Sequence, residues 1–215
     1  MNKTIFPICI DLDHTLLDTV RIREDVYAHS RSYGVSRMRA KEAYRAAVAQ
    51  RFTPSRYVSH LGLPRRESRA LLAEITALVR SSDRYVFSGV RTFLSRARQF
   101  APLYLVTHGD SSYQRVKLQQ SGLAHYFSRV LVTPQITKEK MLRGLYAKSR
   151  GKILMIDDSR RVQQSEDRIG FPIIKVRKSH KDRIYFAKLY DETVAKYQMV
   201  LSSGSFPPNF IPKRR

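Results

Sequence analysis

The chain has 215 residues, of which 42% are hydrophobic, and its formal net charge at pH 7 is +22. This size allows one domain, or one domain that carries a smaller insert, and the hydrophobic content is too high for a disordered chain. A single cysteine excludes an internal disulfide and a cysteine-based metal site, and no stretch approaches the roughly 20 apolar residues that span a bilayer.

The first predicted elements are a short strand and a long helical segment. The apolar residues 5–10 suit a strand that is buried on both faces. Residues 19–84 follow a helical pattern that no strand interrupts, and Ser36 is a candidate N-cap within it. In the sequence RRESRALLAEITALVRSS the apolar side chains fall on one helical face, formed by Leu71, Leu72, Ile75, Leu78 and Val79.

After residue 87 the pattern changes to an alternation of helices and strands. Strands are predicted in PLYLVTHGD, YFSRVLVT, GKILMIDDS and FPIIKVR, and RRVQQSEDRIG is predicted as one of the helices between them. Such alternation is typical of a parallel sheet with helices on both faces. A final helix within residues 182–201 is expected to bury Phe186, Tyr190, Val194, Tyr197 and Leu201.

Three of the predicted strands end in polar residues. The first leads into Asp11 and Asp13, the second contains Thr107, and the third ends in Asp157 and Asp158. Because ligands bind at the carboxyl ends of the strands in an open parallel sheet, we expect these side chains to meet. Four carboxylates in one cleft repel each other unless a cation neutralises them, and ligation by oxygen alone suits Mg²⁺.

Four motifs, in the order in which they occur along the chain, resemble those of the haloacid dehalogenase superfamily. The resemblance is to the phosphatase branch of that superfamily, and in particular to its phosphoglycolate phosphatase-like members. DLDHTLLDT resembles the first motif, LYLVTHGD the second and ILMIDDS the fourth. Lys138 in ITKEKML resembles the lysine of the third motif, and Lys140 is the rival for that position. The resemblance covers nearly the whole chain. It implies an α/β fold, with a Rossmann-like parallel sheet, helices on both faces, and a small all-α cap inserted after the first strand.

The resemblance also implies how the chain divides. Residues 1–17 and 88–204 would form the catalytic core, residues 18–87 the helical cap, and residues 205–215 a loose basic tail. A cap of this kind closes over the site and sets substrate choice. A roofed site favours small phosphorylated molecules over long polymers.

The resemblance implies a role for each motif residue. Asp11 would be the nucleophile that attacks phosphorus and forms an aspartyl-phosphate. Asp13 would protonate the leaving oxygen and then activate water. Thr107 and Lys138 would bind the phosphoryl group, and His108 is a further candidate for that contact.

Four of the acids are the implied Mg²⁺ ligands: Asp11, Asp13 through its backbone carbonyl, Asp157 and Asp158. Which of the last two touches the ion directly is left open. Family members often have glycine where His14 stands. Members that cleave carbon–halogen bonds lack the second acid of the first motif, so the presence of Asp13 favours phosphoryl transfer.

The predicted function is a Mg²⁺-dependent phosphomonoester hydrolase that acts on a small phosphorylated metabolite or nucleotide. The alternatives are a phosphatase acting on nucleic-acid ends and a non-catalytic binding protein that keeps the fold. The basic residues are spread over the whole chain, which favours a solvated basic surface over a dedicated nucleic-acid footprint. The first residues lack the apolar run of a signal peptide, so we expect a cytoplasmic protein with no membrane partner. The oligomeric state is left open.

Overall fold

The computed structural model of the protein describes residues 5–135, 138–163, 170–177 and 181–202. The tail predicted at 205–215 lies outside these ranges, as does the middle of the helix predicted in RRVQQSEDRIG. None of the described helices is both long enough and apolar enough to cross a membrane.

Parallel strands of the described residues form one sheet. They are β1 (Ile8–Ile10), β2 (Leu103–His108), β3 (Arg129–Thr133), β4 (Leu154–Asp157) and β5 (Ile173–Lys175). Their order across the sheet is β3-β2-β1-β4-β5, and every neighbouring pair is parallel. The first strand of the chain therefore lies at the centre of the sheet, with β2 on one side and β4 on the other.

The helices fall into two groups. Between β1 and β2 the chain forms α1 (Thr19–Arg31), α2 (Arg37–Ala49), α3 (Pro54–Ser59), α4 (Arg65–Arg80) and α5 (Val90–Ala97). The later helices alternate with the strands and are α6 (Ser111–Gln120), α7 (Glu139–Lys148), α8 (Arg160–Gln163) and α9 (Arg183–Ser202). Short 3₁₀ helices occur at Ser82–Tyr85 and Ala124–Tyr126.

Successive residues of the central strand enter two different cores. Ile8 and Ile10 pack with residues of α5, α6 and α9 on one face of the sheet. Cys9 points to the other face and packs with Leu142 and Leu145 of α7. Side chains alternate in this way along any strand, so a strand that is apolar throughout needs a helical layer on both faces. The predicted α/β class with helices on both faces is confirmed.

Helices α1 to α4 build a third core of their own after the first strand. Leu71, Ile75 and Leu78 of α4 lie in it, as the helical pattern predicted, and Leu72 packs at its edge. Ser36 caps α2, because its side-chain oxygen accepts a hydrogen bond from the Arg39 N–H at 3.2 Å. The predicted helical insert is therefore present, while the exact domain bounds stay a prediction.

The buried face of α9 differs from the predicted one, and that prediction was wrong in part. The buried residues are Phe186, Leu189, Thr193, Tyr197 and Val200. Tyr190, Val194 and Leu201 are instead half-buried. Thr193 can occupy the core because its hydroxyl donates to the Leu189 carbonyl at 2.6 Å, which satisfies its polar group inside the helix.

Candidate active site

The carboxyl ends of β1, β2 and β4 form one polar cleft. Asp11 follows β1 directly, and its N–H donates to the carbonyl of Ile156 in β4 at 3.0 Å. Thr107 lies near the end of β2 and Asp157 at the end of β4. Because both strands pair with β1, the three polar residues lie at the same edge of the sheet although they are far apart in sequence.

Three carboxylates in this cleft could hold a metal ion. Asp11, Asp157 and Asp158 are buried, and each offers an oxygen within 4.8 Å of the others. An all-oxygen donor set suits a hard divalent cation such as Mg²⁺. The carboxylate of Asp13 is not part of this group, so its implied metal contact is left to the backbone carbonyl and stays a prediction.

Lys138 lies between two of these carboxylates. Its Nζ donates to Oδ1 of Asp11 and, at 2.7 Å, to Oδ2 of Asp157. Burial lowers the pKa of an ammonium group, but the two carboxylates outweigh this and hold the pKa of Lys138 above its usual value. The side chain therefore remains charged. Lys140 is exposed, so the structure brings Lys138 into the cleft and leaves its rival outside.

Asp11 is held at both oxygens. Lys138 binds Oδ1, and the hydroxyl of Thr15 donates to Oδ2 at 3.3 Å. Burial raises the pKa of Asp11 to about 6, against the opposing effect of the Lys138 ammonium. The carboxylate is therefore mostly ionised at neutral pH, and it is oriented at the cleft edge of the central strand.

Asp13 has a different set of partners. Its Oδ1 accepts hydrogen bonds from Thr19 Oγ1 at 2.7 Å and from Lys117 Nζ at 2.5 Å. Its Oδ2 accepts from Lys117 Nζ at 2.7 Å and from Gln114 Nε2 at 2.8 Å. Burial raises the pKa of this carboxyl, but the Lys117 ammonium and these hydrogen bonds outweigh it and hold the pKa below its usual range. Asp13 is therefore a carboxylate in this arrangement.

Gln114 connects Asp13 to the end of β2. Its Nε2 lies 3.0 Å from Thr107 Oγ1 and 2.6 Å from the backbone oxygen of His108. The two protons of the Gln114 amide are therefore shared among three acceptors, which are Asp13 Oδ2, Thr107 Oγ1 and the His108 carbonyl oxygen. The His108 side chain is half-buried, and its burial together with the Lys138 charge lowers its pKa, so the imidazole is neutral at neutral pH.

Comparison with known proteins shows that this fold occurs in other chains. No protein-family model matches the chain. A haloacid dehalogenase-like family hydrolase from Xanthomonas campestris has a TM-score of 0.65 and 18% identity, and the match covers 93% of this chain and 99% of that one. A predicted phosphoglycolate phosphatase from Haemophilus somnus 129pt has a TM-score of 0.57 and 14% identity, over 90% and 100% of the two chains. At these low sequence identities, the two matches show a shared fold and nothing beyond it.

A sequence relative decides the family. The pyrimidine 5'-nucleotidase PynA of Streptococcus pneumoniae (strain ATCC BAA-255 / R6) is 30% identical over 182 residues, which cover 71% of this chain and 75% of that protein. This chain belongs to the haloacid dehalogenase superfamily. The predicted family is confirmed, and so is the predicted enzyme class, a hydrolase of the phosphatase type.

The haloacid dehalogenase motifs did not predict two of the polar residues in the cleft. Gln114 and Lys117 lie one turn apart on α6, and both are buried. A signal was available, because α6 begins directly after the strand of the second motif and its inward face carries these two polar residues beside Leu118. A buried polar side chain on such a helix needs a partner, and the cleft is the nearest place to find one.

His14 stands where members of the superfamily often have glycine, and its backbone explains that preference. Its φ is 59°, in the left-handed region that glycine enters without strain. A side chain there costs about 1 kcal/mol. The turn at His14 bends the chain directly after Asp13.

Proposed function

We propose that this hydrolase is a Mg²⁺-dependent phosphomonoesterase that acts through Asp11 on a small phosphorylated metabolite, with a nucleotide favoured. The observation that supports this most strongly is the position of Asp11. It is a buried carboxylate at the centre of the cleft, oriented by Lys138 and next to two further acids. This is the environment that an attacking carboxylate and a phosphate-neutralising cation require.

In the proposed first step, an Asp11 oxygen attacks the phosphorus atom of the ester and the bond to the leaving oxygen breaks. Asp11 is ionised above its pKa of about 6, so the nucleophile is available at neutral pH. Lys138 holds the Asp11 carboxylate in its orientation and places a positive charge where phosphoryl oxygens would lie. The Thr107 hydroxyl would bind one of these oxygens from the end of β2.

Asp13 would act on the leaving-group side. It would give a proton to the leaving oxygen, and its carboxylate would then take a proton from the water that hydrolyses the aspartyl-phosphate. The ion pair with Lys117 favours the carboxylate form needed in the second step. A substrate oxygen that attracts Lys117 would weaken this pair and let Asp13 take up the proton needed in the first step.

The three clustered acids would hold the metal. Asp11, Asp157 and Asp158 fit Mg²⁺ because all their donors are carboxylate oxygens. When bound, the ion supplies positive charge that offsets the repulsion between an anionic nucleophile and an anionic substrate. Lys138, which contacts Asp11 and Asp157, neutralises part of the same negative charge.

The proposed cap and the sequence relative both support a small substrate. The helical insert contacts the N-terminal end of α6 beside the cleft. Arg56 of α3 pairs with Asp110 at 3.2 Å, and Phe52 in the loop before α3 packs on Tyr113 with ring centroids 5.4 Å apart. Such contacts would roof the site. The relative that is 30% identical is named a pyrimidine 5'-nucleotidase, which favours a nucleotide as the substrate.

Removal of the metal is expected to abolish activity. A panel of nucleotides and phosphorylated metabolites would be assayed for phosphate release after treatment with EDTA, and again after addition of Mg²⁺. We expect turnover only with Mg²⁺, and a Mg²⁺-dependent rise in melting temperature that is smaller in Asp158→Asn than in the unaltered protein. Equal turnover with EDTA would contradict the metal role. No hydrolysis of any ester with Mg²⁺ would favour a binding protein instead.

Lys117→Met is expected to change the pH dependence of catalysis. Without the Lys117 cation, burial raises the pKa of Asp13, so more of this acid is protonated at a given pH. The basic limb of the rate profile for an alkyl phosphate should therefore move to higher pH, with a lower maximum rate because Asp13 is less well oriented. Lys117→Arg, which keeps the charge, is the matched control. An unshifted limb in Lys117→Met would contradict the assignment of Asp13 as the acid.

A further inference from the structure

Gln114 is a buried polar side chain that none of the motif roles accounts for. It is 3% exposed, and the direction of its amide is fixed by its partners. The Asp13 carboxylate at 2.8 Å and the His108 carbonyl at 2.6 Å can only accept, so the nitrogen must face them. Its Oε1 is also buried and has no hydrogen-bond partner within the described ranges. Since a buried acceptor without a partner is unfavourable, the amide is held in place for the contacts of its nitrogen.

The turn between β2 and α6 leaves room for this amide. Gly109 has a φ of 144°, and its N–H donates to the Thr133 carbonyl at 3.0 Å. A Cβ atom at position 109 would lie 3.2 Å from both Cγ and Nε2 of Gln114. A side chain there would therefore press on the amide, and glycine removes that contact.

The contact with Gln114 determines what the Thr107 hydroxyl can do. Oγ1 of Thr107 lies 3.0 Å from Gln114 Nε2, which can only donate, so the hydroxyl oxygen is the acceptor. The hydroxyl proton then needs a different acceptor. Thr107 is 1% exposed, and the part of the chain that the structure describes offers its hydroxyl no second hydrogen bond. In the proposed reaction, a phosphoryl oxygen would be the acceptor for this proton.

The same amide also holds Asp13. Oδ2 of Asp13 accepts from Gln114 and from Lys117, while Oδ1 accepts from Thr19 and from Lys117. Of these three partners, Gln114 is the one that also contacts Thr107. The amide therefore fixes the position of the Asp13 carboxylate relative to the Thr107 hydroxyl, whereas Lys117 supplies charge.

We propose that Gln114 is a positioning residue that turns the Thr107 hydroxyl proton toward a phosphoryl oxygen and holds Asp13 at the leaving oxygen. The proposal rests on the proposed function, because it takes the scissile phosphate to lie between these two groups. Gln114 itself touches neither the phosphoryl group nor the leaving group. Its two effects are therefore measured separately, as phosphate affinity through Thr107 and as leaving-group protonation through Asp13.

The binding of inorganic phosphate tests the route through Thr107. Gln114→Met keeps a side chain of similar length but removes both amide protons. We expect the Kd of inorganic phosphate, measured by calorimetry with Mg²⁺, to rise about tenfold because one charge-assisted hydrogen bond loses its direction. Thr107→Val should raise this Kd as well, and adding Gln114→Met to Thr107→Val should raise it no further. Two increases that multiply in the double variant would contradict this route.

Two esters with different leaving groups test the route through Asp13. Nitrophenolate leaves an aryl phosphate without being protonated, whereas the alkoxide of uridine 5'-monophosphate requires an acid. Gln114→Met should therefore lower kcat for uridine 5'-monophosphate about tenfold more than kcat for p-nitrophenyl phosphate. A purely structural role would lower both values equally. Gln119→Met, on the exposed side of α6, is the matched control and should keep both values.

Circular dichroism and melting curves would show that the variants fold. If Gln114→Met does not fold, the nearly isosteric Gln114→Glu takes its place, because its carboxylate accepts the Thr107 proton and again withdraws it from phosphate. Gln119→Glu controls for the added charge. A folded Gln114 variant with an unchanged phosphate Kd and an unchanged ratio of the two kcat values would overturn the proposal and leave the proposed function intact. Absence of Mg²⁺-dependent hydrolysis of both esters by the unaltered protein would overturn the proposed function and, with it, this proposal.

Discussion

Asp11→Asn is expected to abolish phosphate release while the protein stays folded. The amide is a far weaker nucleophile than the carboxylate, so no aspartyl-phosphate forms, and we expect a loss of roughly 10³-fold or more in kcat. The substitution is nearly isosteric. It also keeps an oxygen for the Lys138 ammonium, which retains its contact with Asp157 at 2.7 Å.

The measurement is turnover of an aryl phosphate with Mg²⁺, together with circular dichroism and a melting curve. Mass spectrometry would show that the new amide has not hydrolysed back to Asp. Asp83→Asn is a suitable control, because Asp83 is exposed on a 3₁₀ helix away from the motif residues. A folded Asp11→Asn protein with full activity would refute the proposed chemistry.

Lys138→Met is expected to reduce both activity and stability. The ammonium is 5% exposed and contacts Asp11 and Asp157, so its removal leaves two buried carboxylates without their cation. Loss of one partner from a buried ion pair typically costs about 3–5 kcal/mol in the free energy of unfolding. Phosphate release should fall as well, since the same cation would bind the phosphoryl group.

Urea unfolding without metal would measure the stability change, and repeating it with Mg²⁺ should recover part of the loss because the ion supplies positive charge to the same acids. Lys140→Met is the matched control. Lys140 is exposed only two residues away, so its substitution should change the free energy of unfolding by less than about 0.5 kcal/mol. If Lys140→Met lost activity and Lys138→Met did not, the assignment of the motif lysine would be wrong.

Much of the fold could be predicted because its signals are local. The apolar run around Cys9 predicts a strand buried on both faces, and the spacing of Leu71, Ile75 and Leu78 predicts one buried helical face. Side chains that share a face recur every two residues in a strand and every 3.6 residues in a helix, so the spacing of apolar residues indicates which face is buried. The prediction for α9 partly failed for a reason that periodicity cannot show. Thr193 reads as polar, but its hydroxyl bonds to the Leu189 carbonyl and allows it into the core.

The candidate site could be predicted where a family motif occurs, as at the ends of the strands and at Lys138. Asp11, Thr107 and Asp157 could be placed together because parallel strands share one carboxyl edge. Lys117 could not, because its partner Asp13 lies 104 residues away and only the packing of α6 brings them together.

By itself the sequence determined which segments form strands and helices, the order of the motifs, and the identity of the acids that follow the strands. Those features depend on residue type and spacing over a few positions. Only the tertiary structure decided that Lys138 rather than Lys140 reaches Asp11, and that Lys117 and Gln114 bind Asp13. Each of these contacts joins side chains from different elements, and their distances depend on how helices pack against the sheet and against each other.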